Sequence, residues 1–477
     1  MNGYDITIGL EVHAQLLTES KIFCGCRART VQEPNTNTCP VCMGMPGTLP
    51  VLNRKAVDYG IRLGLATGCR IAKKSIFARK NYFYPDLPKG YQITQHLTPL
   101  CAGGTLDIET ASGAKSIRIM RIHMEEDAGK TIHGDREPYS YVDYNRSGVP
   151  LLEIVSMPDI TSSEEAAVYL RETRKILMFL EICDGNMEEG SFRCDANISV
   201  KPAGSREYGI RTEIKNMNSF KNVQKALDFE VRRHIGILRS GGSIVQETRL
   251  WDAAAGATMS MRSKEESHDY RYFPEPDLVP VEVGEDWIEK IREDLPELPA
   301  HLRRRFQSQF GLPAYDAGVL TGSKALARYF EECVKLLDAP KEISNWIMTE
   351  VLHVINEQGI DISSFPISPE RLTEMIGLVR QGVISVHIAK EVFSEMTSTG
   401  KSASEIVHEK NITQISDEEQ IRGLAKTIVE ANPDEAAKYR AGKTGLLGFF
   451  VGKLMSATEG KANPKLAGRI VKETLEQ

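Results

Sequence analysis

Glu11 and His13 stand two residues apart in Tyr4–Leu16, a stretch in which apolar and polar residues alternate. A strand sends successive side chains to opposite faces. Ile6, Ile8, Leu10, Val12, Ala14 and Leu16 therefore fall on one side, and Thr7, Gly9, Glu11, His13 and Gln15 on the other. Ser191–Val200 repeats the split, with Arg193, Asp195, Asn197 and Ser199 opposing Cys194, Ala196, Ile198 and Val200. Ile210–Lys215 repeats it more briefly through Arg211, Glu213 and Lys215. A sheet of such strands packs one face on a core and leaves the other as a wet floor of acids, bases and amides. Such a floor suits magnesium and phosphates. An ordinary solvated sheet face is the alternative that the pattern leaves open.

Further acids lie downstream. His123-Met-Glu125-Glu126-Asp127 follows the strand-like Ser116–Ile122, and Glu153 interrupts the apolar run Val149–Val155. Two carboxylates about 4–5 Å apart repel by roughly 3–4 kcal/mol at an effective dielectric near 20. A cluster of three therefore needs a cation or a proton. Carboxylates with an imidazole suit magnesium or manganese, but spacing alone does not show that these residues converge.

Cys24-x-Cys26, twelve residues, then Cys39-x2-Cys42 is the pattern of two close thiolate pairs across a short loop. It predicts a tetrahedral zinc knuckle, structural because four protein ligands leave no open position. A redox dithiol is the alternative. Cys69, Cys101, Cys183, Cys194 and Cys333 are isolated and read as small apolar fillers. Lys80-Asn-Tyr82-Phe-Tyr84-Pro-Asp86 joins a point charge suited to phosphate with rings on which a base can stack. Arg271-Tyr272-Phe273-Pro-Glu275-Pro-Asp277 is similar, and loop packing is the alternative for both. Gly442-Lys443-Thr444 only mimics a P-loop: Ala437 holds the upstream glycine position and no strand signal precedes it.

The elements that must position these groups belong to a chain of 477 residues, 41% hydrophobic and 26% charged, with a net charge of −6. That length predicts several domains. No apolar run reaches the ~18–20 residues of a membrane span, so the expectation is a cytoplasmic protein with reduced cysteines, in which the sequons at Asn197 and Asn411 carry no meaning. The net charge argues against wholesale coating of nucleic acid. Residues 1–295 read as an α+β domain containing the knuckle (24–42), with an antiparallel sheet and a helix starting at Ser162 in a capping box with Glu165. Residues 296–403 read as helical, with Ser368-Pro369 opening a helix that Gly382 ends. Residues 404–477 read as a second small all-α domain. Its helix with Ile421, Leu424, Ala425, Ile428 and Val429 on one face starts from a capping box of Ser416 and Glu419. From Ala436 onward eight Lys and Arg stand against three Asp and Glu, interleaved with Gly442, Gly445, Gly448, Gly452 and Gly460. A phosphate backbone or plain solvent could meet that surface.

Six motifs occur in order: Gly9-Leu-Glu11-Val-His13, Lys80–Asp86, His123–Lys130, Pro150–Val155, Glu188–Asn197 and Asp269–Asp277. Together, over essentially the whole chain, they closely resemble the family of B subunits of the glutamyl-/aspartyl-tRNA amidotransferases. The resemblance implies a cradle-like catalytic domain, a helical domain and a tail that contacts tRNA. It implies ATP-dependent transamidation of Glu-tRNA(Gln), Asp-tRNA(Asn) or both, in which ATP and magnesium activate the side-chain carboxyl. Ammonia comes from the glutaminase (amidase-type) A chain, in a heterotrimer completed by a small C chain. It places magnesium on Glu11, His13, Glu126 and Glu153, with Glu125 as substitute for Glu126. Lys80, Tyr82, Asp195 and Asn197 then match positions lining the active site, and the four cysteines match the zinc-bearing branch. A non-catalytic zinc-bearing tRNA scaffold and a stand-alone ligase using free ammonia are the competing readings. The chain shows no recognisable glutaminase nucleophile constellation, which favours a borrowed ammonia source.

Overall fold

The computed structural model describes residues 3–29, 33–133, 139–261, 270–410, 418–458, 462 and 464–477. It divides the chain into two compact units, Met1–Pro299 and Ala300–Gln477. Ser416, Asn411, Gly460 and Asp269, all used above, lie outside the described residues. No helix among the described residues is long and apolar enough to cross a membrane.

The first unit is built on a 13-stranded sheet. Its main strands are β1 (Tyr4–Gln15), β2 (Phe77–Asn81), β3 (Tyr91–Gln95), β4 (Gly113–Glu126), β5 (Pro150–Ser156), β6 (Phe192–Pro202), β7 (Thr212–Lys215), β8 (Glu247–Asp252), β9 (Ala257–Ser260) and β10 (Phe273–Pro274). They lie in the order β9-β8-β7-β6-β1-β5-β4-β3-β2-β10. All neighbours on this path are antiparallel except β7 with β8, which run parallel. The fold is α+β.

Alternation sets the two faces. Ile8, Leu10, Val12 and Ala14 of β1 and Ala196, Ile198 and Val200 of β6 are buried in one core. Helices α1 (Arg54–Ala66), α2 (Ser163–Phe179) and α3 (Phe220–Arg239) add Ile61, Leu170, Leu177, Val223 and Leu227 to it. Three helices thus cover the apolar face and leave the polar face of the same strands to the site. Ser162 caps α2 by accepting the Glu165 N–H at 3.1 Å. The Glu165 carboxylate does not close the expected box: it accepts the Thr161 N–H at 2.8 Å and the Lys115 ammonium at 2.7 Å. Lys115 and the Thr161 backbone together hold the carboxylate away from the Ser162 N–H.

The second unit is built of helices. Pro369–Arg380 (α4) opens with the expected proline, and Gly382 follows it with φ +74°. Val386–Thr399 (α5) ends at Gly400, and Ser402 then caps Ala403–Glu409 (α6) in a full capping box with Glu405. Glu418–Glu430 (α7), Pro433–Arg440 (α8), Leu447–Ala457 (α9) and Pro464–Glu476 (α10) share a separate core of Ile421, Ala425, Val429, Phe450, Leu454 and Ile470. Gly442 and Lys443 sit in the turn after α8, so no strand feeds them.

Candidate active site

Strand register assembles the floor. His13 on β1 lies opposite Glu153 on β5, which lies opposite His123 on β4. On the other side Glu11 lies opposite Asp195 and His13 opposite Arg193 of β6. Glu11, His13, His123, Glu153 and Asp195 line a cavity of about 470 Å³, together with Lys80, Tyr82, Arg121, Glu125, Glu213, Lys215, Tyr270 and Tyr272.

At its centre His13 Nε2 is 3.4 Å from Glu153 Oε2 and 3.6 Å from Glu125 Oε1. His123 Nε2 is 3.4 Å from the same Glu153 oxygen. His13, Glu125 and Glu153 offer ligand atoms within 4.8 Å of one another. Burial alone depresses the His13 pKa, but the hydrogen bond and charge of Glu153, with the charge of Glu125, win and raise it to about 9. Burial works against the Glu153 carboxylate too, and the two histidines overcome it, holding Glu153 well below its ordinary range. The Glu11 carboxyl is pushed up by burial and by the charges of Glu153 and Asp195. Without a metal, a proton on His13 therefore neutralises part of the cluster. A hard divalent cation supplies the same charge to the same oxygens, and His123 Nδ1 is buried without a hydrogen-bond partner. Carboxylate oxygens with imidazole nitrogens are a donor set that fits magnesium or manganese.

Not every expected ligand is gathered. Glu126 neighbours Glu125 on β4 and so points to the opposite face, where it pairs with Lys89 and accepts the Ile93 N–H at 2.8 Å. Glu125, the substitute, stands in the cluster instead. Glu11 lines the cavity but stands outside the tight three-residue group, with its Oε1 accepting from Asn197 Nδ2 at 2.8 Å. Asp195 lines the cavity and accepts the Lys215 ammonium at 2.7 Å. Asn197 faces an adjoining groove.

Lys80 stands on the wall with its Nζ 4.9 Å from the Tyr270 ring centre and 5.8 Å from that of Tyr82. Burial depresses its pKa, but the Glu125 charge and those around it outweigh this, so it stays cationic. Tyr82, Tyr270, Tyr272 and His96 form an aromatic wall, His96 stacking on Tyr272 at 3.9 Å. Sequence reading assigned no role to His96, Arg121 or Lys215. Only Lys215 carried a signal, its place on the polar side of an alternating run.

Cys24, Cys26, Cys39 and Cys42 bring their sulfurs within 4.8 Å of one another. Cys42 Sγ accepts the Cys39 N–H at 3.1 Å, a turn that aims both sulfurs inward. Lys21 is fully buried, donates to the Asn37 carbonyl at 2.9 Å and lies 3.8 Å from Cys42 Sγ. A buried ammonium needs an anion. The hydrogen bond from Cys24, helped by Lys21, lowers the Cys42 pKa to about 5, whereas burial raises Cys26 to about 11. Gly44 closes the knuckle at φ +65°, where a Cβ would sit 2.3 Å from Lys89 Cγ.

Comparison with known proteins defines the class. Residues 6–289 match the model of the GatB/GatE catalytic domain, and residues 328–475 that of the GatB domain. The chain belongs to the GatB/GatE family. It is 58% identical over 474 residues to the B subunit of the aspartyl/glutamyl-tRNA(Asn/Gln) amidotransferase of Thermodesulfovibrio yellowstonii, covering 99% of this chain and 100% of that one. The proteins of the same name from Chlorobium phaeobacteroides and Thermoanaerobacter sp. are 54% and 53% identical, each over 99% of this chain and over 100% and 99% of their own lengths.

Proposed function

We propose that this chain is the carboxyl-activating and tRNA-binding component of an amidotransferase that converts Glu-tRNA(Gln) and Asp-tRNA(Asn) to their amides. The observation that carries the reading is the buried row His13, Glu153, His123 and Glu125 facing the Lys80 ammonium across one cavity. Glu125, Glu153 and His13, with Glu11 beside them, would hold magnesium, which when bound would supply positive charge against the transferred phosphoryl group. Lys80 lies against the same phosphates, and the Tyr82–Tyr270–Tyr272 wall offers rings to the adenine.

In the first step an oxygen of the aminoacyl side-chain carboxylate attacks the γ-phosphorus and ADP leaves, giving an acyl phosphate. Ammonia then attacks the acyl carbon, inorganic phosphate leaves, and one proton is lost to form the amide. The floor's work is positioning and electrostatic stabilisation, as phosphoryl transfer requires. Ammonia comes from a glutaminase-type partner, with a small third chain completing the assembly in the cytoplasm. The four cysteines hold a structural zinc. A passive scaffold gives no reason for three mutually repelling carboxylates on one floor, and this disfavours it.

The test is ATP- and tRNA-dependent amide formation in the reconstituted complex. Glu153→Gln should abolish amide and ADP formation while the partner's glutaminase stays measurable. Undiminished amidation by that variant would overturn the reading.

A further inference from the structure

A second groove, about 280 Å³, runs beside the cavity on the same sheet face. Thr7, Gly9 and Glu11 of β1 form its floor, and Tyr208 and Arg211 stand at its edge. Glu11 is the floor residue common to both spaces. Nothing in the chemistry above uses the groove.

We propose that it seats the terminal nucleoside of the aminoacylated RNA, while ATP occupies the cavity under Lys80; this rests on the function proposed above. The reaction brings two nucleotides together, and their reacting atoms must meet where the two spaces join, at Glu11. The cavity carries the buried cation site and the lysine that a triphosphate needs. The groove carries what an exposed single-stranded end needs: a free ring, open floor and unpaired positive charge. Tyr208 is 69% exposed, with the Lys201 ammonium 5.6 Å from its ring centre. Among the described residues no carboxylate pairs with Arg211. Gly9 leaves the floor open, since a Cβ there meets only the Ser156 carbonyl, at 4.0 Å. The base stacks on Tyr208, the 5′-phosphate lies by Arg211 and Lys201, and the ester points along β1 to Glu11, which Asn197 orients at 2.8 Å.

The experiment is steady-state kinetics of the reconstituted complex with Tyr208→Ala, Tyr208→Phe and Gly9→Val. The probe is 3′-deoxy-3′-(glutamylamido)adenosine, a stable mimic of the esterified end. Tyr208→Ala should raise KM for Glu-tRNA, and the inhibition constant of the probe, on the order of 10-fold. KM for ATP should stay unchanged, Tyr208→Phe should restore the wild-type values, and Gly9→Val should block the probe. An unchanged KM for tRNA, or a rise confined to ATP, would overturn the assignment. Should Gly9→Val not fold, Tyr208→Ala at the exposed edge decides alone. If the wild-type complex forms no amide at all, the proposed function fails. Calorimetric titration of wild type and Tyr208→Ala with the probe still decides the groove.

Discussion

Glu125 and Glu126 are chemically identical, adjacent, and opposite in consequence. One joins His13 and Glu153, while the other pairs with Lys89 behind the floor. Glu125→Gln should weaken Mn2+ binding by at least about 10-fold, the low end for a perturbed metal shell. Glu126→Gln should leave it within about threefold. Titration followed by electron paramagnetic resonance of Mn2+ reads the difference, and the reverse order would return the ligand role to Glu126. Sequence could not separate the pair because the choice rests on register, and register is fixed by β5, whose Leu151 lies opposite Glu125. The same long reach hid His96 and Arg121, which no local pattern ties to the floor. The cysteines were legible because Cys24 to Cys42 is one short loop, and tetrahedral sulfur needs no distant strand. Cys39→Ser should therefore release zinc and lower stability. Elemental analysis showing undiminished zinc would refute the knuckle.

At the scale of elements, period-two alternation located β1, β6 and β7 and separated wet face from dry, because burial on one side leaves a mark in each strand separately. The order of ten strands left no such mark, nor did the one parallel pairing. Beside that pairing, α3 is tied to β8 and β9 by Glu230, a fully buried carboxylate bonded to Arg233 at 2.9 Å, to Thr258 of β9, and to Arg249 of β8 at 3.2 Å. Burial raises its pKa, but the bonds from His234, Arg233 and Thr258 prevail and lower it from 4.5 to about 2. A depressed folded-state pKa stabilises the fold fully above the unfolded value and loses that contribution as pH falls through the folded one. Glu230 thus contributes about 3 kcal/mol above pH 5, lost between about pH 4.5 and 2. Glu230→Gln should lower Tm at pH 7, and the gap to wild type should narrow steadily toward pH 2.5. A gap that stays constant with pH would mean that the carboxylate is not ionised in the folded chain.

At the scale of the whole molecule, the acidic floor and the most basic helical surface lie in different units of the chain. The acidic floor belongs to the first unit, whereas α7–α10 of the second gather around their own core and expose Lys438, Lys443 and Lys453. Gly448 and Gly452 lie one turn apart on α9, both exposed, with no atom within 4 Å of a Cβ built there. A helix face without side chains lets a phosphate backbone approach closely, and the lysines supply the charge. If that face grips tRNA, removing each lysine–phosphate pair should flatten the dependence of log affinity on log salt by about 0.7–0.9. The triple variant Lys438→Gln, Lys443→Gln, Lys453→Gln should therefore reduce the slope by roughly two to three, measured by filter binding of tRNA to the assembled complex. Its KM for ATP should not move, because the cavity under Lys80 is untouched. Truncation after residue 410 should raise KM for tRNA further still, again with ATP unaffected. A wild-type salt slope in the triple variant would leave these lysines to solvent and move backbone recognition to another surface, such as the Lys201 and Arg211 edge of the catalytic unit.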